Sequence, residues 1–439
     1  MKKLDLSGNS KRSVTLLSLN WYRRKDPRIP LGMAYIYSNL KTSFPEREIA
    51  IAMIQTDVRE NLTDTIHEVL FVNPFVLGIG VYAWNSAQTK LIIRSLREFG
   101  YNGVIILGGP EITYGGKELN DEFSDAQFFV KGFGEATFTQ IIKNLIDNSW
   151  QDIPGVYRKG EFISDRLSAP ANNIKTSPFG REELLSELMG ENFARWQTQR
   201  GCVYRCSFCA FKLPNNGIIE SDIKNIEFEL KKIAKMNPKN VAVLDPVFFM
   251  NKGRAIRILE LMNEITPHTT YNLQTRFEHL NSKLIEKLNS EKVILECGLQ
   301  TLDSGVQRRI KRVNNIEKVK EVIGDLVVRG IRFETHLIYG LPGQTLKSFI
   351  SDIIFLKDIG CTKLRIFPLS LLRGTEIELS ADNGEIVFSP IFPREVISTD
   401  WMNLNQVYKV KKIQRYLEEH SYIMADEFMT QLKELSEVS

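Results

Sequence analysis

The 439-residue sequence contains few cysteines and few histidines, five of each. Five cysteines in so long a chain cannot form a disulfide framework, and an odd number favours a reducing compartment. Long apolar runs are also missing, because stretches such as FVLGIGVY and VIILGG are much shorter than the roughly 20 residues that a membrane-spanning helix needs. We therefore expect a cytoplasmic protein that does not associate with a membrane.

A strong net charge is missing too. The formal net charge is +4, which is slight for this length and gives no overall reason to expect a nucleic-acid partner. Hydrophobic residues make up 43% and charged residues 25%, the balance of an ordinary globular protein. The length suits two or three domains.

The chain does contain regular alternation of strand-like and helix-like segments. In residues 1–150, the runs SVTLLSL, IAIAMI, FVLGIGVY, GVIILGG and AQFFVKG are nearly apolar throughout, as buried parallel strands are. Helix-like stretches separate them, which predicts an α/β domain with a doubly wound, Rossmann-like sheet. Glycines gather just after the strands, where such sheets bind ligands.

The rest of the chain divides into three further segments. Residues 151–190 are rich in turn residues and are predicted to form a linker with a small hairpin. Residues 191–385 contain six βα-like units, which predicts a partial (β/α)6 barrel. Residues 386–439 are predicted to be helical, with 393–419 as one long amphipathic helix.

Three of the five cysteines lie within eight positions. Cys202, Cys206 and Cys209 have the spacing C-x3-C-x2-C after the first strand of the second series. Iron–sulfur cubanes normally take four cysteinates, so three ligands would leave one iron open to a non-protein ligand. A structural zinc site usually has four ligands in two pairs. No second pair follows here, and a zinc site completed by a distant histidine is the alternative. Cys297 and Cys361 lie in or beside strand runs and are predicted to be core thiols.

This cysteine motif, with the aromatic Phe208 before its last cysteine, resembles that of the radical S-adenosylmethionine (SAM) enzymes. GLQTLDSGVQRRIKR (298–312), HLIYGLPGQT (336–345) and PLSLLRGTEI (368–377) are similar to the fourth-, fifth- and sixth-strand segments of that family. Many members carry Gly-Gly-Glu in the second strand. The LDPVFF of this chain is instead similar to the Asp-x-x-Phe variant of cobalamin-linked members.

The resemblance implies a [4Fe-4S] cluster held by Cys202, Cys206 and Cys209, with SAM chelating the open iron. It implies reductive cleavage of SAM to a 5′-deoxyadenosyl radical, inside a barrel that shields the radical from water. An external electron donor such as flavodoxin or ferredoxin would supply the electron. SAM contacts are implied for six residues, each of which has a structural alternative as a core, capping, barrel-mouth or turn residue: Phe208 at the adenine, Asp245 at the amine, Arg276 and Gln300 at the carboxylate and ribose, and Gly340 and Gly343 at the adenosine.

The N-terminal segment has a resemblance of its own. IPLGMAYIYSNLK (29–41), ILGGPEITY (106–114) and DAQFFVKGFGEATF (125–138) are similar to the cobalamin (B12)-binding-type domain that precedes many radical SAM barrels. The chain has no D-x-H-x-x-G segment to supply a cobalt ligand, so a corrin would rest on backbone and apolar contacts. The residues implied for these contacts, which suit domain packing equally well, are Tyr82, Trp84, Gly108, Gly109 and Gly134.

The leading hypothesis is therefore a cobalamin-dependent radical SAM methyltransferase that acts on an unactivated carbon of a small molecule (a natural product) or a peptide. The alternative is a corrin-free radical SAM enzyme, catalysing dehydration, epimerisation, rearrangement or cross-linking, with a vestigial first domain. An RNA-modifying iron–sulfur protein is disfavoured, because residues 1–201 contain no cysteine and the tail shows no basic β-barrel pattern. A purely structural cluster protein is the fourth possibility.

Overall fold

The computed structural model describes residues 12–45, 48–161, 163–164, 166–168, 176–211, 213, 217–381 and 383–437. The chain divides into two compact units, Met1–Glu191 and Asn192–Ser439. Within the described ranges, no helix combines the length and apolar character needed to cross a membrane.

The first unit contains one six-stranded sheet in the order β2-β1-β3-β4-β5-β6. The first five of these strands are parallel, and β6 runs antiparallel to β5. The strands are β1 (Arg12–Asn20), β2 (Ile49–Asp57), β3 (Val76–Gly80), β4 (Val104–Gly108), β5 (Phe128–Val130) and β6 (Val156–Arg158). The helices are α1 (Leu31–Ser43), α2 (Leu62–Val72), α3 (Ser86–Glu98), α4 (Pro110–Thr113), α5 (Leu119–Glu122), α6 (Gly134–Ile146) and α7 (Glu182–Leu185).

This sheet is doubly wound. The helices α1 and α6 pack together, as do α2 and α3, and the central strands are apolar and buried because both faces are covered. The strand order reverses between β1 and β3, which makes their carboxyl ends the switch point where open α/β sheets bind ligands. The predicted linker contributes β6, which pairs with β5 in this sheet.

The second unit is built on six parallel strands that follow one another in chain order, β7-β10-β11-β12-β13-β14. Two further strand pairs, β8-β9 and β15-β16, are antiparallel. The strands are β7 (Phe193–Trp196), β8 (Gln199–Arg200), β9 (Ile219–Glu220), β10 (Asn240–Val243), β11 (Thr270–Thr275), β12 (Val293–Gln300), β13 (Arg332–Tyr339), β14 (Leu364–Pro368), β15 (Ile386–Phe388) and β16 (Val396–Thr399). The helices are α8 (Ile223–Met236), α9 (Lys252–Ile265), α10 (Ser282–Ile285), α11 (Ser304–Arg309), α12 (Ile316–Val328), α13 (Leu346–Asp358), α14 (Glu376–Ala381), α15 (Leu404–Glu419) and α16 (Asp426–Glu437).

Side-chain caps set the starts of the long helices in this unit. Asp222, Asn251, Asn315 and Thr345 each accept a backbone N–H in the first turn of the helix that follows them, which satisfies a donor that the helix itself leaves unpaired. A helix follows each of the strands β10 to β13 along the chain. The α/β fold class, with a doubly wound sheet followed by a partial barrel, is confirmed.

The C-terminal region differs from the predicted long helix. Residues 386–388 and 396–399 form the antiparallel pair β15-β16, and the helix begins only at Leu404, where Asn403 and Gln406 form a capping box. Val396, Ile397 and Thr399 are β-branched and favour an extended chain over a helix. Both α15 and the residues after it pack along the edge strand β14, where Leu364 donates to the Tyr422 carbonyl (2.9 Å).

Candidate functional site

The cysteine-bearing loop follows β7 and β8 at the carboxyl end of the second sheet. Cys206 is buried, whereas Cys202 and Cys209 are half-buried. Ser207 at its centre is fixed by two backbone hydrogen bonds, one donated to Ile310 (3.0 Å) and one accepted from Ile377 (3.1 Å). The loop therefore holds its thiols on a backbone that is tied to two distant segments of the chain.

Burial controls the protonation of these thiols. It raises the pKa of Cys202, and it raises the pKa of Cys209 to about 11. Each of these two thiols also senses the charge of Cys206 and of the Arg312 guanidinium, which shows that the three cysteines and Arg312 share one microenvironment. Without a metal, the Cys202 and Cys209 thiols are protonated at neutral pH, so metal binding to them would release protons.

Arg312 is a functional candidate that the sequence reasoning missed. Its Nη1 lies 3.6 Å from Cys206 Sγ, its Nη2 donates to the Gly298 carbonyl, and the residue is only 8% exposed. Its Nε is buried and has no hydrogen-bond partner among the described residues. A buried cation beside three sulfurs would stabilise negative charge on a metal–thiolate centre.

Gln300 ends β12 close to this centre. Its backbone has φ = +74°, an unusual conformation for a residue with a Cβ, at a point where the pairing of β12 with β13 shifts register. Its Oε1 is buried without a hydrogen-bond partner in the described part of the chain. An unsatisfied acceptor in a strained position is typical of a ligand contact.

Arg276 is engaged within the protein. It pairs with Glu278 (3.3 Å), donates to the Val313 carbonyl (2.7 Å) and stacks on the Tyr204 ring (4.1 Å). Tyr204 belongs to the cysteine loop, and its hydroxyl bonds to His279 Nε2 (2.7 Å). These contacts make Arg276 a support of the cysteine loop, and its predicted contact with the SAM carboxylate stays a prediction.

Asp245 is fully buried and is likewise engaged. Its Oδ1 accepts the backbone N–H groups of Thr198 (2.7 Å) and Gln199 (3.0 Å), and its Oδ2 accepts the Thr198 hydroxyl. Burial raises the pKa of Asp245 to about 6, against the opposing effect of these hydrogen bonds. The capping role that the sequence left open is present, and a role at the SAM amine stays a prediction.

The remaining predicted SAM contacts lie at the same end of the sheet. Phe208 is half-buried in the cysteine loop. Gly340 (φ +79°) and Gly343 (φ +85°) follow β13 in the left-handed region that favours glycine. A Cβ on Gly340 would lie 2.6 Å from Val396 Cγ1, so packing inside the unit already requires glycine there.

The predicted corrin contacts follow the strands of the first sheet. The rings of Tyr82 and Trp84, just beyond β3 at the switch point, stack on each other (4.4 Å between centroids), and the Trp84 indole donates to the Leu19 carbonyl (3.2 Å). Burial raises the pKa of Tyr82. Gly108 and Gly109 follow β4, and Gly109 (φ +95°) would place a Cβ 2.5 Å from the Val81 carbonyl oxygen. Gly134 begins α6.

Part of the second unit matches a known family of proteins. Residues 196–356 match the model of the Radical SAM superfamily. The chain is 23% identical over 393 residues to the cobalamin-dependent radical SAM methyltransferase TokK of Streptomyces tokunonensis, covering 83% of this chain and 56% of TokK. It is 22% identical over 385 residues to a 2-(S-pantetheinyl)-carbapenam-3-carboxylate methyltransferase of Streptantibioticus cattleyicolor, covering 82% of this chain and 53% of the relative. The chain thus spans little more than half the length of these two relatives.

Solved structures share the fold. The cobalamin-dependent SAM radical enzyme OxsB, with aqua-cobalamin and SAM bound, superposes with a TM-score of 0.71 at 15% identity, covering 98% of this chain and 71% of OxsB. The radical SAM methyltransferase TsrM of Kitasatospora setae, with cobalamin and a [4Fe-4S] cluster bound, gives 0.67 at 16% identity, covering 87% of this chain and 76% of TsrM. At these identities the likeness establishes the architecture of the chain.

Proposed function

We propose that this member of the radical SAM superfamily is a cobalamin-dependent methyltransferase that acts on an unactivated carbon of a small molecule or peptide. The observation that carries the proposal is the cysteine centre: three thiols on one loop at the carboxyl end of a six-stranded parallel sheet, beside the buried Arg312 guanidinium. A three-thiol site leaves one iron of a cubane without a protein ligand, as cleavage of SAM requires.

The residues at this centre fit a [4Fe-4S] cluster. Cys202, Cys206 and Cys209 would hold it as thiolates, and the proximity of Arg312 would favour their deprotonation. When bound, the cluster supplies the electron that cleaves SAM to the 5′-deoxyadenosyl radical. An external donor such as flavodoxin or ferredoxin would deliver that electron, which fits a cytoplasmic enzyme.

The chain's own residues would orient SAM and protect the reaction. The unpartnered Oε1 of Gln300 supplies an acceptor for a ribose hydroxyl, and the turn at Gly340 and Gly343 lets the backbone approach the adenosine. Binding of SAM and the substrate at the carboxyl end of this parallel sheet would limit the access of water to a radical.

The first unit would hold the cobalamin, which when bound supplies the methyl group. Its sheet offers a stacked aromatic pair at the switch point, Tyr82 and Trp84, together with the positive-φ residue Gly109 after β4 and Gly134 at the start of α6. These groups fit a large planar ligand held by backbone and apolar contacts. The similarity to TokK and OxsB, which are cobalamin-dependent enzymes, supports this part of the proposal.

The test is anaerobic reconstitution of the protein with iron, sulfide and cobalamin, followed by incubation with SAM and a strong reductant. We expect retained corrin, and mass spectrometry should detect both 5′-deoxyadenosine and S-adenosylhomocysteine. 5′-Deoxyadenosine alone, without retained corrin, would favour the corrin-free radical enzyme. Bound zinc, or an iron centre that does not respond to SAM, would overturn the proposal.

A further inference from the structure

The cysteine loop and the turn that follows α11 together expose apolar and basic side chains. Val203 in the loop and Val313 after the turn are 44% and 67% exposed. The basic side chains of Arg205, Arg308 and Lys311 are exposed in the same two segments. Exposed apolar residues with a polar rim are typical of sites that bind another protein. We call these five residues the cysteine-side patch.

Two contacts hold these segments side by side. The Ser207 N–H donates to the Ile310 carbonyl (3.0 Å), which joins the middle of the cysteine loop to the end of α11. Arg276 stacks on the Tyr204 ring (4.1 Å) and donates to the Val313 carbonyl (2.7 Å), which joins the start of the loop to the turn. The patch is therefore one surface, although its residues come from two distant parts of the sequence.

The patch lies directly outside the three-thiol centre. Arg205 precedes the buried Cys206 in the chain. Lys311 and Val313 flank Arg312, whose Nη1 lies 3.6 Å from the Cys206 thiol. Each of these exposed residues is thus one position away from a group at the centre. Because the rate of electron transfer falls steeply with distance, a redox group that docks on the patch would be well placed to reduce a cluster held there.

The charges of the patch favour an acidic partner. Lys311 pairs with Glu376 (2.6 Å), but the side chains of Arg205 and Arg308 make no ion pair with any residue that the structure describes. Arginine is enriched at protein interfaces, and uncompensated charges of one sign steer a partner of the opposite sign to its docking site. RNA would also be attracted by two guanidinium groups, but exposed valines offer its bases no aromatic ring for stacking.

We propose that the cysteine-side patch docks an acidic one-electron carrier protein of the flavodoxin type, whose redox group lies at its surface among carboxylates. The carrier loses one electron and the [4Fe-4S] cluster gains it, and no atom is transferred. Electron-transfer complexes bury less than about 1,200 Å² in total, which suits a patch of this size. The role of the partner as electron donor rests on the proposed function, whereas the docking itself does not.

The first measurement is binding, by isothermal titration calorimetry, of oxidised flavodoxin to the reconstituted protein. Arg308→Glu should weaken binding about tenfold, because an attraction becomes a repulsion. Salt should weaken binding to the native protein more than binding to this variant, because it screens exposed charges. Val313→Ser should weaken binding about threefold without changing the salt dependence, since only apolar contact is lost.

The matched control is Lys287→Glu, an equal change of charge at an exposed position between α10 and β12, before the amino end of that strand. It should bind flavodoxin like the native protein. The second measurement is the rate of 5′-deoxyadenosine formation, with either reduced flavodoxin or titanium(III) citrate as the reductant. Arg308→Glu should raise the apparent KM for flavodoxin about tenfold and leave the rate with titanium(III) citrate within about twofold of the native rate.

Three results would each overturn the proposal: no saturable binding of flavodoxin, native affinity in folded Arg308→Glu, or equal weakening in Lys287→Glu. Binding of a mixed-sequence RNA that Arg308→Glu abolishes, with flavodoxin binding unchanged, would assign the patch to nucleic acid instead. If the native protein forms no 5′-deoxyadenosine with titanium(III) citrate, the proposed function fails, and the calorimetry still decides whether the patch docks the carrier.

Discussion

The carboxyl ends of the two parallel sheets differ in how their polar groups are satisfied. At the first sheet, Trp84 and Asn85 both donate to the Leu19 carbonyl, and Trp84 stacks on Tyr82. At the second sheet, Gln300 Oε1 and Arg312 Nε are buried without a partner in the described part of the chain. Each such atom costs about 1–3 kcal/mol. A ligand that supplies the missing partners would offset this cost at the second sheet, whereas the Trp84 indole and the Asn85 amide at the first sheet already have a partner in the Leu19 carbonyl.

The largest expected effect is at the cysteine loop, where we expect iron binding to depend completely on the buried Cys206. Cys206→Ala removes a buried ligand that neighbouring residues cannot replace. We expect loss of most bound iron after reconstitution and no detectable 5′-deoxyadenosine, measured by iron analysis and mass spectrometry. The matched control is Cys361→Ala, a buried thiol that donates to Thr335 and lies outside the loop, which should retain its iron. Iron retained in folded Cys206→Ala would contradict the assigned ligand set.

The next effect tests the buried cation of the second sheet. Arg312→Met removes the charge beside Cys206, and a reduced cluster carries one more negative charge than an oxidised one. We expect the midpoint potential to fall by about 60 mV or more, which for a one-electron couple corresponds to a tenfold change in equilibrium constant. An EPR-monitored redox titration measures it. The exposed Arg308→Met should leave the potential unchanged, and an equal fall in both variants would mean that Arg312 has no specific role.

These contrasts also separate what the sequence predicts from what it does not. The fold class and the cysteine loop are predictable because strand periodicity and the C-x3-C-x2-C spacing are local patterns. Arg312 was missed because several basic residues crowd the segment QRRIKR, and only the fold brings one of them to Cys206. The proximity of Glu296 and Glu334 was missed for a similar reason, since these residues become neighbours only through the pairing of β12 with β13.

The hydrogen bonds that the predicted SAM contacts make within the protein could not be predicted from the sequence either. Asp245 and Arg276 lie just after β10 and β11, but their hydrogen bonds with Thr198 and Val313 depend on loop geometry. The strands β15 and β16 were missed because they are only three and four residues long, too short for an alternating pattern to be recognised. Local patterns thus provided the candidate residues, and long-range pairing determines which of their polar atoms have partners inside the protein.

A smaller effect tests whether Gln300, at the second sheet, accepts a hydrogen bond from a ligand or stabilises the fold. Gln300→Leu removes the unpartnered Oε1 and keeps the size of the side chain. We expect KM for SAM to rise about tenfold because a hydrogen bond to the ligand is lost, while the free energy of unfolding stays the same or increases, because a buried unsatisfied atom is removed. Urea unfolding and steady-state kinetics measure the two quantities. A clear loss of stability with unchanged KM would show that Gln300 serves the fold instead.

The smallest effect tests Trp84 at the first sheet, whose indole N–H has a hydrogen-bond partner within the protein. Trp84→Phe keeps an aromatic ring to stack on Tyr82 but loses the indole donor to Leu19, whose carbonyl still accepts from Asn85 (3.0 Å). We expect the free energy of unfolding to fall by about 1 kcal/mol, measured in urea. The control is Trp150→Phe, a stacked surface ring at 5.0 Å from Phe128, which should change stability by less than about 0.5 kcal/mol. If Trp84→Phe instead lost cobalamin with no change in stability, the main role of Trp84 would be to contact the ligand. The difference between the two sheets would then rest only on the unpartnered atoms of Gln300 and Arg312.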